Sequence, residues 1–251
     1  MKLHLLLCTG ALALPLVTLL LMACAGGERE TVPAPAVPAP AAIIAAPADS
    51  GGAGEALVDS ALAATFVRHV CSSDDRRTEL ERALAAHGHA PLPAANAREL
   101  DEARDAALLV ELRRALNALP DDGANEFHGL PIQLLSAIRL ATDSGALAVV
   151  AARRAIARED APRAESVLLL ARVAPAAPGT GRSWRVTPEH AHREPGPEDD
   201  FESFTLDAAL RLADGRLALL VAGHDLRLLA RGADGRWLAV WTAALPDDCG
   251  G

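Results

Sequence analysis

The sequence has no tyrosine, and aromatic residues make up only 3% of its 251 residues. Its sole lysine is Lys2, so every strongly basic side chain further along the chain is an arginine. The formal net charge is −9. Proteins that bind duplex nucleic acid need dense cationic contacts to phosphate. An acidic chain without a basic stripe therefore excludes nucleic acid from the expected partners, and the acidity is expected to keep the surface soluble.

The first 23 residues have the pattern of a secretion signal. Lys2 supplies a positive start, the apolar run 3–22 follows, and Pro15 interrupts that run. The run ends in LMAC (21–24), which resembles the lipobox of bacterial lipoproteins: an aliphatic residue, a small residue just before the cleavage point, and then the modified cysteine. The resemblance implies that Cys24 carries a thioether-linked diacylglycerol, becomes the N-terminus, and anchors the chain in a membrane.

The resemblance also implies a location. Ala25 is not the aspartate that usually retains lipoproteins in an inner membrane, so delivery to the outer membrane is expected in a cell with two membranes. In a cell with one membrane, the protein would lie on its outer face. Two alternatives stay open: small residues on both sides of Cys24 also suit ordinary signal cleavage and secretion of a soluble protein, and about 20 apolar residues are enough for an uncleaved span.

Residues 24–55 are predicted to be a disordered tether. Proline and alanine alternate from Pro33 to Pro40, which excludes a helix and favours an extended spacer. A glycine-rich joint, 51–54, follows. A folded domain joined to a lipid-linked cysteine needs such a spacer, so the leader and the tether support each other.

Residues 56–160 are predicted to be a helical region. Apolar residues recur there at helical spacing, and Gly88 and Pro120 are natural stops. Leu130-Pro131 favours a further helix, because proline is tolerated in a first helical turn. The predicted helices cover 56–70, 74–87, 97–119, 130–142 and 146–158.

Residues 161–251 are predicted to form an antiparallel β region. The apolar run 165–175 and the segment 182–188 suggest strands, whereas Glu189–Asp200 suggests a polar loop. Asp214-Gly215 and Asp234-Gly235 predict type I′ hairpin turns, and 223–225 is a third turn. Strands are expected at 204–212, 216–222, 226–231 and 236–243, with alternation that indicates one buried face. The predicted fold class is α+β, an N-terminal helical segment packed on a C-terminal β-meander, and the two are expected to form one domain.

Two cysteines follow Cys24, namely Cys71 and Cys249. An export signal delivers them to an oxidising compartment, where paired cysteines normally form disulfides. We therefore predict a Cys71–Cys249 bond, with two separate thiols or pairing between chains as the alternatives.

Two groups of side chains are candidate sites. His190, His192, Glu189 and Glu194 form the densest set of metal-ligand types, suited to zinc, although a solvated loop has the same composition. Trp237 and Trp241 are predicted to share one strand face, with Trp184 nearby. They could line a ligand groove or form aromatic core.

The expected function is a non-catalytic binding or scaffolding role in the cell envelope, with the membrane as one partner and an envelope protein as another. No cofactor is expected, and no G-x-S-x-G, Rossmann or P-loop pattern points to an enzyme. The alternatives are a metal-dependent hydrolase that uses His190 and His192, and a small-ligand carrier that uses the tryptophan-bearing sheet.

Overall fold

The computed structural model describes residues 57–72, 76–120, 126–156, 162–197, 202–246 and 249. All of them belong to one compact unit, Ala42–Gly251. The leader, Cys24 and the whole predicted tether lie outside the described residues, so the lipid attachment stays a prediction. Among the helices that are described, none is both long enough and apolar enough to cross a membrane.

Three α-helices and ten strands make up the described fold. The helices are α1 (Ser60–Val70), α2 (Arg77–Ala86) and α3 (Glu102–Asn117), with one 3₁₀ turn at Ala94–Asn96. The strands are β1 (Ala90–Pro91), β2 (Ala97–Glu99), β3 (Gln133–Thr142), β4 (Gly145–Ile156), β5 (Arg163–Pro175), β6 (Trp184–Pro197), β7 (Thr205–Arg211), β8 (Leu217–Ala222), β9 (Asp225–Arg231) and β10 (Trp237–Ala244).

The strands form two antiparallel sheets of five strands each. The terminal sheet has the order β1-β7-β8-β9-β10 and combines strands from both ends of the described chain. The central sheet has the order β2-β3-β4-β5-β6 and is contiguous in sequence. The α+β class with an antiparallel meander is therefore confirmed, and a second sheet is added to the one that the sequence predicted.

The two sheets face each other, and helices cover their outer faces. Leu168 and Leu170 of the central sheet pack between the sheets in one apolar cluster with Leu219, Leu229 and Trp237 of the terminal sheet. On the other side of the terminal sheet, α1 and α2 bury a second cluster that includes Leu62, Phe66, Leu80, Leu84, Leu220 and Leu228. On the outer side of the central sheet, α3 buries a third cluster through Leu108, Leu112 and Leu116. The result is four layers, helix, sheet, sheet and helix.

The helices predicted at 130–142 and 146–158 are wrong, because Gln133–Thr142 forms β3 and Gly145–Ile156 forms β4. β4 is buried continuously from Leu147 to Ala152, with one face on α3 and the other on the terminal sheet. A strand buried on both faces loses the alternation of polar and apolar residues. Its alanines also have the highest helix propensity of any residue. The sequence pattern therefore resembled a buried helix.

The polar loop predicted at Glu189–Asp200 is also wrong as far as the structure describes it. Residues up to Pro197 belong to β6, which pairs with β5 from Trp184 onward. β6 is an edge strand, and an edge strand tolerates proline because half of its N–H groups need no partner in the sheet. A bulge at Glu189 shifts the register between the two strands.

The four predicted strands of the meander are confirmed as β7 to β10, but their turns differ from type I′. At the first turn the Gly215 N–H donates to the Leu212 carbonyl (2.8 Å) and the Leu212 N–H donates to the Arg216 carbonyl (2.9 Å). Gly215 has a φ of 83°. This is a three-residue hairpin loop with a left-handed glycine, and the turn at Gly235 repeats it. β8 and β9 are buried on both faces, whereas the sequence predicted one.

The predicted disulfide is confirmed. Cys71 and Cys249 are bonded, with their Cα atoms 4.5 Å apart. Cys71 is the C-terminal cap of α1, and Cys249 follows the last strand. The bond therefore joins the two ends of the folded region.

Candidate ligand-binding cleft

The four predicted metal ligands lie on β6 and face the terminal sheet. His190 and His192 lie opposite Leu170 and Leu168 in the β5–β6 register, so they share the inter-sheet face with these leucines. Glu189 occupies the bulge, and its carboxylate contacts the terminal sheet as well. The four side chains lie on one strand rather than in the predicted loop, and they form two separate groups: Glu189 contacts Arg231 and Trp237, whereas Glu194 contacts His192.

At one end of this row, Glu194 is the acceptor of a charged cluster. Its Oε1 lies 2.9 Å from His192 Nε2 and also accepts a hydrogen bond from Arg227. Burial opposes ionisation, but the hydrogen bond from His192 and the charge of Arg227 hold the pKa of Glu194 below its usual value. Burial, together with electrostatic interactions with His192 and Arg227, lowers the pKa of His190 to about 4. His190 is therefore a neutral imidazole at physiological pH.

The side chains that would serve as metal ligands already contact each other or arginine, whereas a metal site would need them to be available to the ion. Across the described ranges, no group of three or more His, Cys, Asp or Glu side chains is arranged to hold a metal ion. His192 and Glu194 are hydrogen-bonded to each other, and the guanidinium of Arg227 forms an ion pair with the same carboxylate. A cation at this point would have to displace that guanidinium.

The three tryptophans do not come together, and the prediction that Trp237 and Trp241 share a strand face is wrong. Trp237 is buried between the sheets, whereas Trp241 packs on the opposite face, with its ring 5.7 Å from that of Phe66. A bulge between Ala239 and Trp241 adds a residue and reverses the alternation. Trp184 lies in the α3 layer.

A solvent-open cleft of about 230 Å³ lies between the sheets at one end of the molecule. The turns β3–β4, β7–β8 and β9–β10 surround it, and it reaches Glu189 and Trp237 but not His190. Its apolar wall includes Leu147 and Leu217, and its charged side chains are Asp143, Arg172, Glu189, Arg211, Arg216 and Arg231.

Glu189 is the central acceptor in this cleft. Its side chain is only 11% exposed. Oε1 lies 2.5 Å from Arg172 Nη2 and 3.0 Å from Arg231 Nη2, and Oε2 accepts a hydrogen bond of 3.1 Å from Trp237 Nε1. Two guanidiniums thus share one carboxylate, which leaves one positive charge in excess.

The rim of the cleft adds two more arginines in ion pairs. Arg211 Nη2 lies 2.9 Å from the exposed carboxylate of Asp143, and Arg216 Nε lies 2.6 Å from Asp214 Oδ2. The four arginines of the lining therefore face the carboxylates of Asp143 and Glu189, with Asp214 just beside them. Four positive and three negative charges leave a local net charge of +1 on a chain whose formal charge is −9.

The cleft arginines were not predicted from the sequence, although a repeated sequence pattern marks two of them. The segments 211–216 (RLADGR) and 231–236 (RGADGR) repeat the pattern R-x-A-D-G-R. β7 and β9 are both antiparallel to β8, so they run in the same direction and both end at the cleft. The repeat therefore places Arg211 and Arg231 at the same edge of the terminal sheet.

The fold and cleft define an α+β protein with two facing antiparallel sheets and a charged cleft between them. The chain matches no protein-family model, no curated protein and no solved structure. A function for the chain is therefore inferred from its own residues and geometry.

Proposed function

We propose that this protein is a non-catalytic binding module of the cell envelope that holds a small ligand in the cleft between its sheets. The observation that carries the proposal is the cleft itself, in which Trp237, Leu147 and Leu217 provide apolar wall and Arg172 and Arg231 provide fixed donors. Binding sites for small molecules typically combine a mainly apolar wall with a few well-placed polar groups.

The leader supports the envelope location. The LMAC sequence at 21–24 resembles a lipobox, so Cys24 is the proposed attachment point, with the membrane as partner and the outer membrane as destination where two membranes exist. The tether has roughly 30 residues and would reach on the order of 90 Å if fully extended. Such a reach would let the domain meet ligands or an envelope protein away from its anchor.

The contacts of the two histidines favour binding over metal-dependent hydrolysis. A catalytic zinc needs three protein ligands and an open position for water. Here His192 is bonded to Glu194, and His190 faces Arg227, whose positive charge disfavours a nearby cation. The cleft, by contrast, is open to solvent and lies away from His190.

The anchor is tested by metabolic labelling and fractionation. We expect the protein to incorporate labelled palmitate and to stay with the outer-membrane fraction. The Cys24→Ala variant should lose the label and keep its uncleaved leader, because a cysteine is required for both steps. An unlabelled wild-type chain would contradict the lipid anchor.

The ligand site is tested by closing the cleft without changing a charge. Ser144 is exposed on the β3–β4 turn and lines the cleft, so Ser144→Trp should fill it. His224 is exposed on the β8–β9 turn at the other end of the sheets, so His224→Trp is the matched control. After equilibrium dialysis against a small-molecule extract of the producing cells, mass spectrometry should find a compound retained by wild type and His224→Trp but not by Ser144→Trp. If no compound shows this pattern, the cleft is not a ligand site.

A further inference from the structure

We infer that the cleft binds the carboxylate group of a small organic monoanion, with Arg172 and Arg231 as donors and Trp237 as part of the apolar wall. This inference rests on the proposed function, because it names the ligand class of the same cleft.

Glu189 shows that the donors already suit a carboxylate. Arg172, Arg231 and the indole N–H of Trp237 converge on its two oxygens from three directions. Arginine is the side chain whose planar donor fork best matches a carboxylate. Because Glu189 is mostly buried and held by all three donors, a ligand would bind beside it and share the arginines.

The two arginines keep donors for such a ligand. A guanidinium has five N–H groups. Among the described contacts, Arg172 meets Glu189 through Nη2, whereas Arg231 uses Nη2 for Glu189 and Nε for the Gly235 carbonyl. The Arg172 side chain is half exposed, so its remaining N–H groups are open to solvent. One carboxylate between two guanidiniums leaves a charge that one further anion would neutralise.

The space limits the ligand to a small molecule with an apolar part. The cleft volume of about 230 Å³ lies below the range of roughly 300–1,000 Å³ that is usual for drug-sized ligands. Leu147, Leu217 and Trp237 would contact the body of the ligand while its acid group meets the arginines. Benzoate and hexanoate have this combination of features.

Calorimetric titration of the full-length protein in detergent tests the ligand class. The probes are benzoate and hexanoate, their neutral isosteres benzamide and hexanamide, and inorganic phosphate. We expect a carboxylate probe to bind at least about tenfold more tightly than its amide, because a charged hydrogen bond is worth more than a neutral one. Added salt should weaken the binding, since part of the attraction is between charges that solvent ions screen.

Three variants assign the effect to the named residues. Arg172→Gln and Arg231→Gln should each weaken carboxylate binding by about tenfold or more. Glu189→Gln should strengthen it, because it removes the internal negative charge and keeps an acceptor for Trp237. Arg104→Gln, an exposed arginine of α3 paired with Asp101, is the control and should have no effect.

The outcomes separate this inference from the proposed function. Equal binding of acid and amide, or preferred binding of phosphate, would overturn the carboxylate class. Binding of none of the probes by a protein that retains an extract compound in the Ser144→Trp comparison would also overturn it, while the ligand site would stand. If the probes bind wild type and Ser144→Trp equally, the cleft is not where they bind, and both proposals fail.

Discussion

Asp207 shows how one buried carboxyl can control the stability of this fold across the pH range. It lies at a bulge of β7, between Leu206 and Ala208, and its Oδ2 is buried without a hydrogen-bond partner among the described residues. Burial raises the pKa of Asp207 to about 6, against the opposing effect of a hydrogen bond from the Ala222 backbone. An aspartate in the unfolded chain ionises near pH 4. The folded protein therefore holds this proton more tightly than the unfolded chain.

Replacing Asp207 by asparagine should stabilise the protein at neutral pH. As the pH rises from about 4 to 6, the unfolded chain releases the proton first, and the wild type loses about 3 kcal/mol of unfolding free energy. Asp207→Asn cannot ionise, so it should keep that stability. Urea unfolding at pH 4, 6 and 8 should show an advantage for the variant that grows up to pH 6 and is then constant. An advantage independent of pH would show that Asp207 has an ordinary pKa.

At the residue scale, what could be predicted depended on whether a partner was implied by the sequence alone. Cys71 and Cys249 were paired by counting, because no other cysteine follows Cys24. Glu189 was predicted as a metal ligand, whereas its partners are arginines. These arginines come from β5 and β9 and meet Glu189 only after both sheets form. The bulge that turns Glu189 toward the terminal sheet has no signal in the sequence.

At the scale of elements, a buried arginine joins α3 to the central sheet. Arg154 of β4 is only 4% exposed, and its Nη2 donates to the Leu116 carbonyl in the last turn of α3. Its Nη1 lies 3.7 Å from Oε2 of Glu165 on β5, which is equally buried. The guanidinium thus donates a hydrogen bond to a helix end and places its positive charge beside a buried carboxylate.

Removing Arg154 alone should be costly, and removing the pair much less so. Arg154→Leu takes a guanidinium away from the buried Glu165 carboxylate, which has Arg193 4.0 Å away as a second cation, and should lower the free energy of unfolding by about 3–5 kcal/mol. The double variant Arg154→Leu/Glu165→Leu should recover most of that loss. Chemical denaturation of the wild type, both single variants and the double variant measures the coupling. Additive effects would contradict a direct interaction.

Strands with turn signals at their ends could be predicted, even where they are buried on both faces, and strands without such signals could not. Two Asp-Gly turns and the turn at 223–225 separated β7 to β10, whereas the helices predicted at 56–70 and 97–119 began before their capping residues Asp59 and Asp101. β3 and β4 have no such helix-excluding signal, and the alanines of β4 favour a helix when the partners are unknown. Burial between α3 and the terminal sheet overrides that propensity.

At the scale of the whole molecule, the disulfide should be a major source of stability. It closes a loop with a sequence separation of 178 residues. The chain-entropy model gives up to about 5 kcal/mol for a loop of this length, and removal of native disulfides typically costs 2–5 kcal/mol. The Cys71→Ser/Cys249→Ser variant should unfold at lower urea concentration than wild type. A reducing agent should shift the wild type to the midpoint of the variant and leave the variant unchanged, and an equal response of both would show that the bond is not formed.

The arrangement of helix, sheet, sheet and helix could not be predicted from sequence patterns. The helices α1 and α2 were predicted to cover the sheet, and they do, but no sequence pattern indicates that α3 covers a separate sheet. A second sheet can be recognised only when β3 and β4 are known to pair with their neighbours. Both segments had been predicted to be helices. The cleft depends on both sheets and was therefore out of reach.

The terminal sheet can be completed only late in the synthesis of the chain, because its strands are far apart in the sequence. β1 comes from the start of the domain, and its partner β7 is made only after the whole central sheet, since Ala90 pairs with Arg211. A nascent chain can assemble β2 to β6 early, because their contacts are local. Until β7 to β10 emerge, however, α1 and α2 and the inner face of the central sheet have nothing to cover their apolar side chains. The partly synthesised protein thus exposes two apolar surfaces at once, and its disulfide cannot form until Cys249, which follows β10, has been made.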